Sequence, residues 1–171
     1  MSAISCRPVP GIAEFMKFLE IDETSKTGLR WIATPDPKIR VGDEALRSIS
    51  KKGYFRGWFG GRQYMAHRVV FLLKYGHWPE KQIDHIDGNP KNNRIENLRE
   101  VSGQTNIQNR KSRGTTFNAH HGKWHARICA NGVSHHLGYF KTETEAHSAY
   151  LKNKKLFHPE AGDHCFMENS L

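Results

Sequence analysis

Four polar residues within positions 82–110 are of the types that could cleave a phosphodiester bond. Asp84 and His85 stand at the end of an expected strand. Asn97 follows at the start of a second strand, and Asn106 lies inside a short expected helix. A compact strand–turn–strand–helix unit would bring a base, its positioning partner and two metal ligands together in this order. The stretch therefore predicts a phosphodiesterase centre with one metal ion.

Each of these residue types suits one part of that chemistry. Hydrolysis needs a base for the proton of the attacking water and positive charge near the leaving oxygen. A histidine has an unperturbed pKa of ~6.5, so it is mostly neutral near neutral pH and can be the base. A hard divalent ion prefers carboxylate and amide oxygens. On a regular strand Asp84 and His85 would face opposite sides, so both reach one centre only if the chain bends near Asp87-Gly88.

The motif resembles the zinc-free branch of the HNH homing-endonuclease family, whose core is a ββα-metal unit. The resemblance spans most of the first 110 residues. The core matches are Asp84-His85-Ile86-Asp87-Gly88-Asn89, Asn92-Asn93, Ile95-Glu96-Asn97-Leu98-Arg99 and Asn106. The upstream matches are Gly53-Tyr54, Ala66-His67-Arg68 and Gly76.

The resemblance implies a role for each of the four residues. His85 would be the general base, and Asn97 would fix the loop and orient that histidine. Asp84 and Asn106 would hold one divalent cation, normally Mg²⁺, for which Mn²⁺ can substitute. Some relatives have His at the last position, so Asn106 argues against a softer metal. No small-molecule cofactor is expected.

Structural interpretations of the same residues stay open. Asp84 could serve only as a hydrogen-bonding residue at a strand end, and Asn97 could only cap the turn. His67 could be a buried histidine bonded to backbone or a phosphate contact. The remaining polar residues of the stretch are typical turn formers: Asp87, Asn89, Asn92 and Asn93. Metal binding is not expected at His120-His121 or His135-His136, because adjacent histidines on a strand face opposite sides.

Positive charge predominates in this chain. Lys and Arg number 26 against 17 Asp and Glu, which gives a formal net charge of +9. Positions 45–79 and 101–142 contain no acidic residue. Such a chain is expected to bind a polyanion, most commonly nucleic acid. Together with the family resemblance, this charge leads us to expect double-stranded DNA as the partner. The single compact site predicts a monomer or weak dimer.

Other features predict a cytoplasmic protein, in the bacterial host cytoplasm if the gene belongs to a phage. No apolar run approaches the ~20 residues that span a bilayer, so no membrane association is expected. The start of the chain lacks the apolar core of a signal peptide. Cys6, Cys129 and Cys165 lie far apart and are expected to be reduced thiols.

Periodicity and turn residues predict an α+β protein with an HNH domain at 1–112 and a smaller domain, with a short tail, at 113–171. The first should contain a helix within 10–19, strands at 29–33, 53–59, 62–65, 82–86 and 97–101, and helices from Ala66 and after Ser102. The second should contain strands near 115–118, 123–130 and 133–139 and a helix with a capping box at Thr142.

The second domain resembles the Apetala/ethylene-response-factor DNA-binding domain across roughly residues 113–158. Its matches are Lys123-Trp124-His125-Ala126-Arg127-Ile128, Leu137-Gly138-Tyr139-Phe140 and Thr142 to Tyr150. The resemblance implies a three-stranded antiparallel sheet, packed on one helix, that enters the major groove. The sequence departs from that pattern at Thr115, Thr116 and Asn118, where more arginine is usual, so the bases that are read stay open.

Candidate DNA contacts follow from this pattern and from the basic joint before it, residues 111–114. They are Arg110, Lys111, Arg113, Lys123, Trp124 and Arg127. Trp124 and Arg127 are an odd number of residues apart and should occupy opposite faces, so we favour Arg127, and Trp124 could be a core aromatic. The expected function is a metal-dependent DNA endonuclease that nicks one strand at a preferred site. The alternatives are a DNA-binding regulator with a degenerate nuclease centre and, more remotely, an RNA-directed nuclease.

Overall fold

The computed structural model describes residues 9–167, which form four helices and ten strands. Two compact units emerge. The first contains the described residues up to His85 together with Asn89–Glu100, and the second contains Ile86–Gly88 and the described residues from Val101 onward. The structure is α+β, as expected. The predicted domain division after residue 112 stays a prediction.

The first unit consists of short strands around one longer helix. Its elements are α1 (Ile12–Met16), β1 (Leu19–Ile21), β2 (Leu29–Trp31), β3 (Ser48–Ile49), β4 (Phe55–Phe59), β5 (Arg62–Met65), α2 (Ala66–Tyr75) and β6 (Gln82–His85), with β7 (Leu98–Val101) running to its border. Three small sheets result: β1 with β2, β4 between β3 and β5, and β6 with β7. The predicted hairpin and the helix after it are confirmed.

The helix predicted over residues 10–19 is shorter than expected. It ends at Met16, and Leu19 instead starts a strand that pairs with Trp31. Phe15 and Leu19 are both buried, at 0% and 2% exposure, so the apolar spacing correctly marks core positions. The strand forms because pairing with β2 outweighs local helix propensity.

Helix α2 and the β4–β5 hairpin build the core of the first unit. Val69 and Val70 are fully buried, and the rings of Phe15 and Phe59 lie 4.6 Å apart. Gly76 ends the helix with φ of 83°, a left-handed conformation that glycine adopts without strain. Its N–H donates to the carbonyl of Leu72 at 2.8 Å, and the chain then turns toward β6.

The second unit is a three-stranded antiparallel sheet covered by one helix. Its elements are α3 (Gly103–Gln108), β8 (Thr115–Asn118), β9 (Lys123–Ala130), β10 (Val133–Phe140) and α4 (Glu143–Phe157). β9 is central. The predicted capping box of Thr142 and Glu145 starts α4, and Ser102 caps α3 by accepting from the N–H of Thr105 at 3.1 Å.

The two faces of β9 differ in exposure. Ala126, Ile128 and Ala130 are buried and α4 packs on β9, whereas Arg127 and Cys129, at alternate positions, are exposed. One face of the sheet is therefore core and the other is open.

Within residues 9–167, no helix is both long and apolar enough to cross a membrane. Cys129 and Cys165 are free thiols, and Cys6 lies outside the described residues.

Candidate active site

Asp84 and His85 both lie at the buried end of β6. Their exposed fractions are 5% and 4%, and Ile83 before them is also buried at 8%. Three consecutive buried residues mean that both faces of the strand are covered here. Each polar side chain must therefore have a partner, since an unsatisfied buried polar group costs about 1–3 kcal/mol.

Asn93 holds the ring of His85. Its Oδ1 lies 3.0 Å from Nε2 of His85, and its Nδ2 donates to the carbonyl of Thr27 at 2.9 Å. The bond to Thr27 fixes the orientation of the amide, so Oδ1 must accept and Nε2 of His85 must carry a proton. The neutral ring then has its lone pair on Nδ1. This is the nitrogen that could accept a proton from water.

The role of Asn93 was not foreseen, because its position in the sequence is typical of a turn former. Asn93 is only 3% exposed and packs closely against Gly28. A Cβ added at Gly28 would lie 3.2 Å from the Cβ of Asn93. Its place in the Asn92-Asn93 match was the signal that could have identified it. Thr27, far away in sequence and fully buried, gave no such signal.

Asn97 fixes the loop that carries Asn93. It is the last residue of the 3-10 turn Ile95–Asn97, directly before β7, and its side chain is 8% exposed. Its Nδ2 donates to the carbonyl of Asn92 at 2.8 Å, and its backbone N–H donates to the carbonyl of Arg94 at 2.9 Å. The loop is thus tied down one residue from the amide that bonds His85.

Asp84 forms an ion pair with Arg99 of β7. Nε of Arg99 donates to Oδ2 of Asp84 at 2.9 Å, and the side chains are 27% and 6% exposed. The pairing of β6 with β7 brings the two together. Arg99 matched the family pattern in sequence, but nothing there indicated which carboxylate it meets.

The donor chemistry of the predicted metal ligands fits a hard divalent cation. Asp84 offers carboxylate oxygens and Asn106 an amide oxygen, which are the ligand types that Mg²⁺ prefers. Asn106 lies in α3 of the second unit, where its N–H donates to the carbonyl of Ser102 at 3.1 Å. In the described part of the chain no three His, Cys, Asp or Glu side chains gather as a metal-binding group. A cation held by one carboxylate and amide oxygens needs no such group.

Two further rings surround His85. The ring centroids of Tyr54 and His67 lie 5.7 Å and 5.2 Å from that of His85. His67 is 8% exposed, and its Nδ1 is buried without a hydrogen-bond partner. Burial, and to a lesser extent the electrostatic influence of the neighbouring His85 and Arg68, lowers the pKa of His67 to about 3. His67 is therefore a neutral, buried histidine. A buried histidine bonded to backbone was one of the two interpretations of its sequence position, but within the described residues Nδ1 makes no such hydrogen bond.

The depressed pKa of His67 should make the first unit lose stability in acid. Between pH ~6.5 and the folded pKa of about 3, the unfolded chain binds a proton at His67 that the folded chain does not. Stability should be complete above pH ~6.5 and fall by up to about 1.4 kcal/mol per pH unit below it, or about 2 kcal/mol by pH ~5. Urea unfolding followed by tryptophan fluorescence measures this, with His67→Gln as the comparison. Equal pH slopes for the two proteins would contradict the assignment.

The predicted DNA contacts occupy two places in the second unit. Arg110, Lys111 and Arg113 are exposed in the joint between α3 and β8. Lys123 and Arg127 are exposed on the open face of the sheet.

Trp124 differs from the other predicted contacts. It shares the helix-facing side of β9 with Ala126 and packs edge-on against Phe117, with 5.5 Å between ring centroids. Trp124 and Arg127 thus lie on opposite faces of β9, as the strand spacing predicted.

The paired histidines separate in different ways. His135 stacks on Phe157 of α4 with ring centroids 4.4 Å apart, whereas His136 lies 2.6 Å from His125, measured between Nδ1 and Nε2. These neighbours therefore face opposite sides, as predicted. The expectation that His120 and His121 lie on a strand is wrong: they fall in the turn between β8 and β9, with rings 5.0 Å apart.

Comparison with known protein families gives a match over the segment that contains the predicted site residues. Residues 64–108 match the model of an HNH endonuclease family. Asp84, His85, Asn97 and Asn106 all fall within that match.

The chain is also 38% identical over 82 residues to the DNA endonuclease I-HmuI of Bacillus phage SP01. That alignment covers 45% of this chain and 47% of the relative, so the chain matches about half the length of that curated protein. No solved structure matches the chain.

Proposed function

We propose that this chain, whose residues 64–108 match the model of an HNH endonuclease family, is a metal-dependent DNA endonuclease of the homing type. The observation that carries the proposal is the buried pair at the end of β6. His85 is held by Asn93 in the tautomer whose Nδ1 is basic, and Asp84 precedes it as a buried carboxylate. Similarity to a phage DNA endonuclease supports DNA as the substrate.

His85 acts as the general base in this proposal. Nδ1 takes a proton from the attacking water, and the bond from Nε2 to Asn93 stabilises the imidazolium that forms. The water oxygen bonds to phosphorus as the bond from phosphorus to the 3′ oxygen breaks. The 3′ oxygen takes a proton from solvent, so the products carry a 5′ phosphate and a 3′ hydroxyl. Asn97 acts indirectly, because it fixes the loop on which Asn93 stands.

Asp84 and Asn106 are the proposed ligands of one Mg²⁺, for which Mn²⁺ can substitute. The assignment of Asn106 rests on the family pattern in the sequence. When bound, the cation would stabilise negative charge on the scissile phosphate and the leaving oxygen. Arg99 holds the carboxylate of Asp84 in one orientation by donating to its Oδ2.

The second unit would bind double-stranded DNA through its basic joint and the open face of its sheet. We propose that it acts like an Apetala/ethylene-response-factor domain, with Arg127 and Lys123 on the face that meets DNA. One site per chain implies that a monomer nicks one strand at a preferred sequence. A double-strand break would then need two events or a weak dimer. The proposed setting is the cytoplasm.

Relaxation of supercoiled plasmid tests the proposed function. We expect nicked circles to accumulate with Mg²⁺ or Mn²⁺ and not with EDTA, because the leaving oxygen needs the cation. Structured RNA incubated in parallel tests the choice of substrate, and preferential RNA cleavage would contradict the DNA assignment. If the plasmid stays intact with Mg²⁺ and with Mn²⁺ while the protein still binds DNA, the enzyme proposal is contradicted and a DNA-binding regulator is favoured.

A further inference from the structure

The second unit contains a basic cleft beside the exposed part of β9. Its cavity volume is ≈ 720 Å³, and its walls are the joint after α3, the residues of β9 beyond its pairing with β8, and the end of α4. Five cationic residues line it: Arg110, Lys111, Arg113, Arg127 and Lys154. The lining includes no Asp or Glu. Such a cavity favours an anion.

The cations of the basic cleft are not neutralised by carboxylates. Within residues 9–167, Arg113 is the one of the five that pairs with an acid, and its contact with Glu143 is long, at 3.9 Å. Protein surfaces usually intersperse charges of both signs. Four cations without a carboxylate partner around one cavity leave a positive potential that a bound anion would offset.

Lys154 brings one of these charges into the interior. It is 1% exposed, and its Nζ donates to the carbonyl of Arg110 at 2.6 Å and lies 5.9 Å from the ring centroid of Tyr150. A single carbonyl and a ring face are weak compensation for a buried ammonium, which is costly without an opposite charge. An anion in the basic cleft would supply that charge.

Two further polar atoms in the lining lack partners. Nδ1 of His158 and Oγ1 of Thr115 are buried with no hydrogen-bond partner, and His158 is only 7% exposed. The carbonyl of Cys129 lies 2.9 Å from Nε2 of His158, so Nε2 carries a proton and Nδ1 is the unmatched atom. Orphaned buried polar groups are rare in folded proteins and indicate a missing partner.

The shape of the basic cleft depends on Gly114. Its φ is 64°, and a Cβ there would overlap the ring of Tyr150, so only glycine lets the joint pass over this aromatic wall. The carbonyl of Gly114 accepts from the N–H of Arg127 at 3.0 Å. The joint is thereby fixed against the strand that carries one of the cations.

We propose that the basic cleft is a phosphate-binding site, in which the phosphate is held by Arg127 and Arg110 at the rim and by Lys154 inside. The cavity exceeds the size of one phosphate, so it has room for the nucleoside that carries the phosphate. Two sources share this chemistry, a phosphodiester of a DNA strand and the terminal phosphate of a 5′-nucleotide. The DNA source rests on the proposed function. The phosphate site itself does not.

Lys154 also has a structural interpretation, because it ties the joint after α3 to α4 through the carbonyl of Arg110. The test must therefore include an exposed residue of the lining. Arg127→Gln meets this need, since Arg127 is exposed and its replacement leaves the core intact. Lys152→Gln is the matched control: it removes one positive charge from an exposed position on α4 outside the lining.

Binding is measured with the full chain carrying His85→Ala, without divalent ions, so that no cleavage interferes. The probes are deoxyadenosine 5′-monophosphate and a short DNA duplex without terminal phosphates, titrated calorimetrically at constant ionic strength with chloride as the reference anion. Arg127→Gln and Lys154→Gln should each weaken binding by roughly tenfold or more, and Lys152→Gln by less than about twofold.

Saturable nucleotide binding identifies the terminal phosphate as the source. Weakened binding of the duplex alone, in Lys154→Gln as well as in Arg127→Gln, identifies the phosphodiester. Failure of both probes to bind beyond chloride, or equal losses in Arg127→Gln and Lys152→Gln, would overturn the proposal. If the protein nicks plasmid but the variants bind the probes normally, only the proposal of a phosphate site in the basic cleft is contradicted. If the variants bind the probes more weakly but the protein does not nick plasmid, only the proposed nuclease function is contradicted.

Discussion

Replacing His85 by alanine is expected to slow plasmid nicking by about 10²- to 10⁴-fold while DNA affinity stays nearly unchanged. General-base catalysis contributes a rate factor of this size. DNA affinity should depend mainly on contacts between phosphates and cationic side chains, which this change leaves in place. Initial nicking rates with Mg²⁺ and an electrophoretic binding assay at fixed salt measure the two quantities.

His77→Ala is the control for removing an imidazole from the same unit, because His77 is exposed and lies outside the site. It should nick at the rate of the unchanged protein. The truncation of His85 also empties space beside Tyr54 and His67, so its melting temperature must be measured as well. A large loss of affinity or of folding would show that His85 is structural, and the general base would have to be sought elsewhere.

Replacing Asn93 by alanine should lower the nicking rate by roughly 10²-fold or more and destabilise the first unit by about 2–4 kcal/mol. The ring of His85 loses the bond that fixes its tautomer and direction, and small misplacements of a catalytic group have effects of this size. The stability loss comes from two buried hydrogen bonds and from the carbonyl of Thr27, which is left unsatisfied. Nicking kinetics and urea unfolding measure the two effects.

Two variants sharpen the test of Asn93. Asn93→Asp keeps an acceptor for Nε2 of His85 but loses the donation to Thr27, so it should nick faster than Asn93→Ala. Asn89→Ala is the matched control in the same loop, where an exposed side chain accepts from the N–H of Lys91 at 3.1 Å. It should change rate and stability little. An unaltered rate in Asn93→Ala would exclude this bond as the device that orients His85.

Local patterns were enough to predict most elements of the fold. The two-residue glycine turn, the glycine after α2, the Asn131-Gly132 turn and the capping box all act within a few residues, so their outcome can be deduced from neighbours in sequence. One exception is the helix at the start of the described chain, where pairing of Leu19 with Trp31 ended it early. That pairing joins residues distant in sequence, and propensity carries no information about it.

The sequence by itself determined the character of the chain and the identity of its candidate acting residues: an excess of positive charge, an Asp-His pair before a turn, and two asparagines after it. These depend on residue types and short spacings. The tertiary structure alone decided that Asn93 rather than a nearer neighbour of His85 accepts from its ring, with Thr27 as anchor. It likewise decided that Arg99 pairs with Asp84 and that the buried Lys154 lines one cavity with cationic residues, most of which lack a carboxylate partner within residues 9–167. Hydrogen bonds and burial join residues that chain order leaves far apart, and only the folded backbone brings them within reach.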